Sequence, residues 1–469
     1  MKKTGLFKIL MGMLLAIIII SWIVPASFLE NGELVEMGMY RLGFFDIFQL
    51  LFGTFQFKYF AQIFIFILTI GAFYGVLVKT GKYRAWIEKI ANSFKGKEYV
   101  LLISIAILLA LLSSVFSYGL LLFIFIPLLI GIILSMGYDK ITAFIATFGS
   151  ILIGQIGSTI GYNINGVLNE IIGTKYINGI VYKILLLIIP LGLLVYYLIK
   201  AKHSIIKKAE NKVEEALRNE LFIGEKSSNK YSVAPIIIIF GVIFVLLVLG
   251  CTSWEETFNV SIFTKMHNSI IEVKIKDFEI FKNLLGTIGA FGTWLYAEMT
   301  VILLIASLII GRFFRMKHSE IISNMAAGAI KLLGPAMLVI TSYAVLVFAG
   351  NTLFYPTIAN FILNATSKFN IFFSGIDIIL GSLFHVDMTY LIAYVVPQIA
   401  MQDANSTVVM LLSQGLYGVT MLIAPTSVLL ILGLSYLGIP YTEWIKKTWK
   451  YILIILAIVM IIIFAAALI

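Results

Sequence analysis

The side chains that could do chemistry lie inside long apolar runs. His385 and Asp387 interrupt one such run at Ser382-Leu383-Phe384-His385-Val386-Asp387-Met388. A histidine titrates near neutral pH. Ionisable side chains are costly in hydrocarbon and, when found there, mark solute, ion or proton paths. Hydroxyls and amides interrupt three further runs. Ser117 stands in Ser113-Ser114-Val115-Phe116-Ser117-Tyr118-Gly119. Ser158, Thr159 and Asn163 stand in Gly157-Ser158-Thr159-Ile160-Gly161-Tyr162-Asn163, and Thr426 and Ser427 follow Pro425. Such groups, with unwound backbone, can hold Na+ or donate to an anionic solute group. Glu298 and Asp377, each within an apolar segment, are candidate proton carriers. No His/Cys/Asp/Glu grouping has zinc spacing and no phosphate-binding G-x-x-x-x-G-K-[ST] loop occurs, so no cofactor is expected. Na+ or H+ coupling both stay open.

The elements that position these residues follow from composition. Of 469 residues, 61% are hydrophobic and 12% charged, and mean hydropathy is +1.03. Soluble domains are roughly half apolar and about a quarter charged, so a water-soluble enzyme and a disordered chain are excluded. A polytopic, all-α membrane protein remains, because only helices and closed barrels satisfy their backbone in lipid. The net charge of +10 comes from a few basic loops. It is read as topology-setting and lipid-facing, not as a nucleic-acid surface. The single cysteine, Cys251, excludes an intramolecular disulfide. The basic start followed by apolar Leu6–Phe28 is read as a retained first helix, since no small-x-small cleavage site follows it.

Loop charge then orients the spans. The segment Lys79–Lys97 carries six basic residues, and Lys446, Lys447 and Lys450 precede the last span. The positive-inside rule places both in the cytoplasm, with the N-terminus inside and the C-terminus outside. About nine full spans are expected, including Leu284–Ile310 as one helix, plus two segments, 99–136 and 371–400, that are either re-entrant or fully spanning. The chain divides into N-terminal scaffold helices (1–98), a first core (99–199), a cytoplasmic linker with mixed charges at helical spacing (200–231), second-half scaffold helices (232–350), and a second core with a C-terminal helix (351–469).

The two cores repeat one pattern. Ser113 precedes Pro127 by fourteen residues and Ser382 precedes Pro397 by fifteen. Gly157-Ser158-Thr159 and Pro425-Thr426-Ser427 each follow the proline by about thirty. The first unit starts from an inside loop and the second from an outside loop, which predicts an inverted repeat of re-entrant hairpin plus broken helix. Neither core offers an obvious Arg or Lys, so a solute carboxylate would rely on helix ends and hydroxyls.

The run Gln414-Gly415-Leu416-Tyr417-Gly418-Val419-Thr420-Met421-Leu422-Ile423-Ala424-Pro425-Thr426-Ser427, with Gly438-Ile439-Pro440-Tyr441-Thr442-Glu443-Trp444-Ile445-Lys446 after it, resembles the C-terminal signature of YfcC-like membrane proteins. These belong to the ion transporter superfamily, with the anaerobic C4-dicarboxylate carriers. The resemblance implies a scaffold plus a mobile transport domain, and commonly a homodimer. It also implies a solute and cation site at the hairpin tips and helix breaks, carried here by Ser158, Thr159, Asn163, Thr426 and Ser427. Relatives of that type carry acidic residues at the first tip, where this chain has Ser117-Tyr118-Gly119.

The expected function is secondary transport in the plasma membrane of a small carboxylate-bearing solute. That solute would be an amino acid, basic ones included, or a C4-dicarboxylate, moved by an elevator-like motion with ion coupling or exchange. The alternatives are a membrane-embedded lipid-modifying enzyme using His385 and Asp387, and a channel.

Overall fold

The computed structural model describes residues 4–30, 33–175, 177–201, 220–224, 231–276, 278–402 and 404–468. Most of the expected linker helix and the side chain of Asn163 lie outside the described residues. The architecture is helical, with eight helices among the described residues long and apolar enough to cross a membrane. Two short β-ribbons, Ala26–Glu30 with Glu33–Gly38 and Lys274–Ile275 with Phe278–Glu279, add to the all-α expectation. The first helix, Thr4–Ile23, stops short of the expected Phe28 because Pro25 disfavours helix before it. The ribbon that follows is tied down by Ser27 Oγ, 2.7 Å from Thr357 Oγ1, and by Ser27 N donating to Leu353 O at 2.9 Å.

A scaffold forms around the crossing of Lys58–Lys79 with the 35-residue helix His318–Thr352. Glycine makes this crossing possible. A Cβ on Gly75 would lie 2.2 Å from Asn324 O, and one on Gly328 would lie 2.1 Å from Gly71 O. Small residues four apart let two backbones touch, which replaces the hydrophobic drive that lipid cannot give. Tyr296–Phe313 packs on the same Lys58–Lys79 helix. It begins twelve residues later than the expected start at Leu284, because the chain between holds Gly286, Gly289 and Gly292, two of them at positive φ (58° and 103°). Conformations of that kind are not helical.

The core has two interrupted units. In the first, Glu98–Phe116 ends at Ser117 in the left-handed region (φ 55°), a short 3-10 turn follows, and Ile126–Ser135 completes the arm pair. Lys140–Ile156 then breaks over 157–161 and resumes as Tyr162–Ile172. Asp139 caps its start by accepting from Thr142 N at 2.7 Å. In the second unit Ile371–Phe384 ends at His385, and Met388–Tyr394 and Val396–Ala400 complete the arms. Ser406–Met421 breaks over 422–427 and resumes as Val428–Leu437. Each unit is followed by a long apolar helix, Ile180–Ala201 or Tyr441–Ala467.

The units pack alike. Glu98–Phe116 lies on Lys140–Ile156 as Ile371–Phe384 lies on Ser406–Met421. Lys140–Ile156 also meets Ser406–Met421, and the two following long helices meet each other. Both internal crossings are close. A Cβ on Gly154 would come within 2.4 Å of Ala110 O, and one on Gly418 within 2.7 Å of the Ile156 backbone.

Candidate functional site

The breaks free backbone groups that the helix would have paired, and buried side chains take them up. Ser114 Oγ donates to Gly157 O at 2.6 Å, and Thr159 N donates to Ser114 O at 3.1 Å. The first arm is thereby stitched to the first break. Thr426 Oγ1 does the same in the second unit, donating to Leu383 O at 3.0 Å. The Thr426 carbonyl accepts from Ser342 Oγ of the long scaffold helix. Trp444 Nε1 donates to Leu422 O at 2.9 Å and Tyr441 Oη to Ile423 O at 2.5 Å.

Sequence reasoning missed the corresponding donor at the first break. Lys183, fourth in the Ile180–Ala201 helix, is fully buried. Its Nζ donates to Asn165 Oδ1 at 2.6 Å and to Thr159 O at 3.3 Å. The expectation that neither core offers an obvious Arg or Lys overlooked this lysine, which serves the break and is not among the residues lining the cavity described next. One lysine in an apolar helix reads as a lipid-facing span, because its partners Thr159 and Asn165 lie about twenty residues away across a break.

A cavity of about 410 Å³ lies between the helices Lys58–Lys79, Tyr296–Phe313 and His318–Thr352 and the two interrupted units. Tyr59, Tyr296 and Tyr343 line it from the scaffold. Ser117, Tyr118, Gln155 and Tyr162 line it from the first unit, and Asp387, Tyr390, Tyr417 and Ser427 from the second. Both tips and the second break thus converge on one space. Among the described residues Asp387 is the one charged side chain on the wall, and no Lys or Arg lines it. Asp387 caps Met388–Tyr394, its Oδ1 accepting from Thr389 N at 2.9 Å. Its Oδ2 accepts from Tyr59 Oη at 3.3 Å. The Tyr417 hydroxyl pins the same tip by donating to Val386 O at 3.0 Å.

The remaining expected residues fall in different places. Ser158 is buried directly in the first break, where its Oγ finds no hydrogen-bond partner among the described residues, and Ser117 Oγ is likewise unpaired. Thr159 is buried and committed to Ser114. His385 does not line the cavity. Its ring stacks on Tyr394 (centroids 5.4 Å apart) and meets the edge of Tyr355, and its Nδ1 lies 3.1 Å from Gly381 O. Asp377 is buried behind the tip, its Oδ1 accepting from Tyr355 Oη at 2.8 Å. Glu298 sits in the first turn of Tyr296–Phe313 and accepts from Leu295 N at 3.0 Å, the position of a helix cap. The tyrosines of the wall were not singled out by sequence, because isolated aromatics in apolar runs look like packing.

The chain is similar to several known proteins. A protein of Haemophilus influenzae described as uncharacterized is 25% identical over 137 residues, 29% of this chain. The matched segment covers 27% of that relative's length. The crystal structure of the Alcanivorax borkumensis YdaH transporter aligns over 97% of both chains at 13% identity, with a TM-score of 0.44. The family described as "C4-dicarboxylate anaerobic carrier" matches residues 4–468, nearly the whole chain. The description of that family is of a carrier, not of a lipid-modifying enzyme or a channel. By this match, the multi-pass membrane protein described above belongs to the C4-dicarboxylate anaerobic carrier family.

Proposed function

We propose that this chain is a secondary carrier of amino acids, basic ones included, and that the cavity between scaffold and core is where the solute binds. One observation carries the reading: among the described residues the sole charged side chain on the cavity wall is Asp387, set among seven tyrosines. A carboxylate beside aromatic faces suits an ammonium group, by charge pairing and by attraction to the ring quadrupoles. The solute carboxylate would then meet the Ser117 and Ser427 hydroxyls and the N-terminus of Val428–Leu437, whose first N–H groups lack helical partners. Tyr59 would orient Asp387 through their hydrogen bond.

The family name favours a second reading, a C4-dicarboxylate without an amine. For that solute Asp387 would be a like charge on the wall, and like charges facing one another in a low-dielectric space repel. The amine-bearing solute is therefore the better fit to this wall.

Movement follows from the wall's composition. Tyr59, Tyr296 and Tyr343 belong to helices that pack on one another through glycine contacts, whereas the tips and breaks belong to the two matching units. An inverted repeat whose core slides past a fixed wall, carrying the solute with it, is the elevator-like motion such a division supports. The division into scaffold (1–98 and 232–350) and core (99–199 and 351–469) and the plasma-membrane orientation belong to the same proposal. Energy would come from exchange or from an ion gradient. Counterflow into proteoliposomes preloaded with basic, neutral or acidic amino acids, or with succinate, tests the reading. Saturable exchange confined to amino acids is expected. Exchange confined to succinate would overturn the amine assignment.

A further inference from the structure

An unwound stretch of membrane helix needs its carbonyls satisfied, and carriers of this architecture meet that need with bound cations. The two breaks of this chain meet it differently. At the second break the donors to Leu422 O, Ile423 O and Thr426 O are an indole, a phenol and a serine hydroxyl, all neutral. At the first break Thr159 O accepts from the Asn165 amide at 3.4 Å and also from an ammonium group, that of Lys183, at 3.3 Å. Trp444 and Lys183 hold corresponding places, each the fourth residue of the long helix that follows its break. The lysine side chain is fully buried and shares its Nζ between the break carbonyl and the Asn165 amide oxygen. A carbonyl oxygen and an amide oxygen are hard ligands of the kind that hold an alkali cation. The helix Ile180–Ala201 brings a charge there covalently, with no ion to recruit.

We propose that Lys183 is a tethered cation that stands in for a coupling ion at the first helix break, so that this half of the transport core is complete without Na+. Lys183 is a positioning residue in this scheme. It is absent from the cavity wall, and it acts by holding Thr159 and Asn165 and by placing a positive charge behind the break. The inference depends on the break geometry and not on which solute is carried.

The test uses cations alone, so that failure of the amino-acid reading leaves it intact. Purified full-length wild type and Lys183→Ala are melted in choline chloride, sodium chloride and methylammonium chloride at equal ionic strength. Removing the side chain leaves a space lined by the Thr159 carbonyl and the Asn165 amide. The expected result is that Lys183→Ala gains a saturable rise in melting temperature with Na+ or methylammonium, over and above any response of the wild type. Should the alanine chain fold in none of the salts, Lys183→Ser, whose short polar side chain also leaves the space open, is melted the same way with the same expectation. A folded variant with no added cation response overturns the proposal. So does failure of both variants to fold in all three salts, because a site that no free cation can refill was not occupied by a replaceable one.

Discussion

Replacing Asp387 with Asn separates its structural duty from its charge. The structural duty is the cap on Met388–Tyr394, where Oδ1 accepts from Thr389 N. Asn caps helices about as well as Asp, so D387N keeps the tip folded. The charge is lost. A charge-assisted hydrogen bond contributes about 1.5–3 kcal/mol net, and about 1.4 kcal/mol corresponds to a tenfold change in affinity. Half-saturation for an amine-bearing solute is therefore expected to rise about ten- to a hundredfold. The bare Coulomb term for a pair at about 4 Å near a protein surface is about 4 kcal/mol, which is an upper bound because the cavity is open to water. Tyr59→Phe removes only the 3.3 Å hydrogen bond to Oδ2 and should cost less than D387N, under about tenfold. The assay is initial-rate counterflow in proteoliposomes, with melting temperatures of the purified variants as the folding control. Wild-type half-saturation for amino acids in folded D387N would rule out Asp387 as the ammonium partner. A D387N chain that loses amino acids and succinate by the same factor would rule it out equally.

Two further perturbations follow from the geometry. Gly154→Ala and Gly418→Ala put a methyl group 2.4 Å and 2.7 Å from backbone atoms of the neighbouring core helices, whereas Gly192→Ala meets nothing within 4 Å. Overpacking typically costs about 1–3 kcal/mol, so the first two should lower the melting temperature of the purified protein and the third should leave it unchanged. Glu298→Gln retains an acceptor for Leu295 N at the start of Tyr296–Phe313. It should leave the pH profile of transport unchanged, and a shift of that profile in reconstituted vesicles would make Glu298 a proton carrier.

The sequence was most informative where the backbone itself changes course. Gly157 and Pro425 mark the two helix breaks, and the polar run ending in Asp387 marks the second tip, because each change of course in lipid requires particular residues. The paired spacing of Ser113 with Pro127 and Ser382 with Pro397 anticipated two units that pack alike. What escaped is set by tertiary contact. Lys183 acquires meaning only beside Thr159 and Asn165. The tyrosine wall is assembled from residues as far apart as Tyr59 and Tyr417, each unremarkable in its own segment. His385 and Asp387 are two residues apart yet diverge, one stacked on Tyr394 behind the tip and the other facing the cavity. The direction of the chain at a helix end decides between them, and no spacing rule captures it. Glu298 was misplaced for a related reason, since the glycines before it delay the helix by twelve residues and turn a mid-span acid into a cap.

The cavity is expected to select a solute bearing both a carboxylate and an ammonium group. Aspartate and succinate share a four-carbon dicarboxylate skeleton and differ by that ammonium group, so competition between them isolates it. With wild-type protein exchanging a labelled amino acid in proteoliposomes, aspartate should compete at least about tenfold more strongly than succinate, and D387N should abolish the difference. Equal competition by the two in the wild type, or stronger competition by succinate, would contradict that expectation.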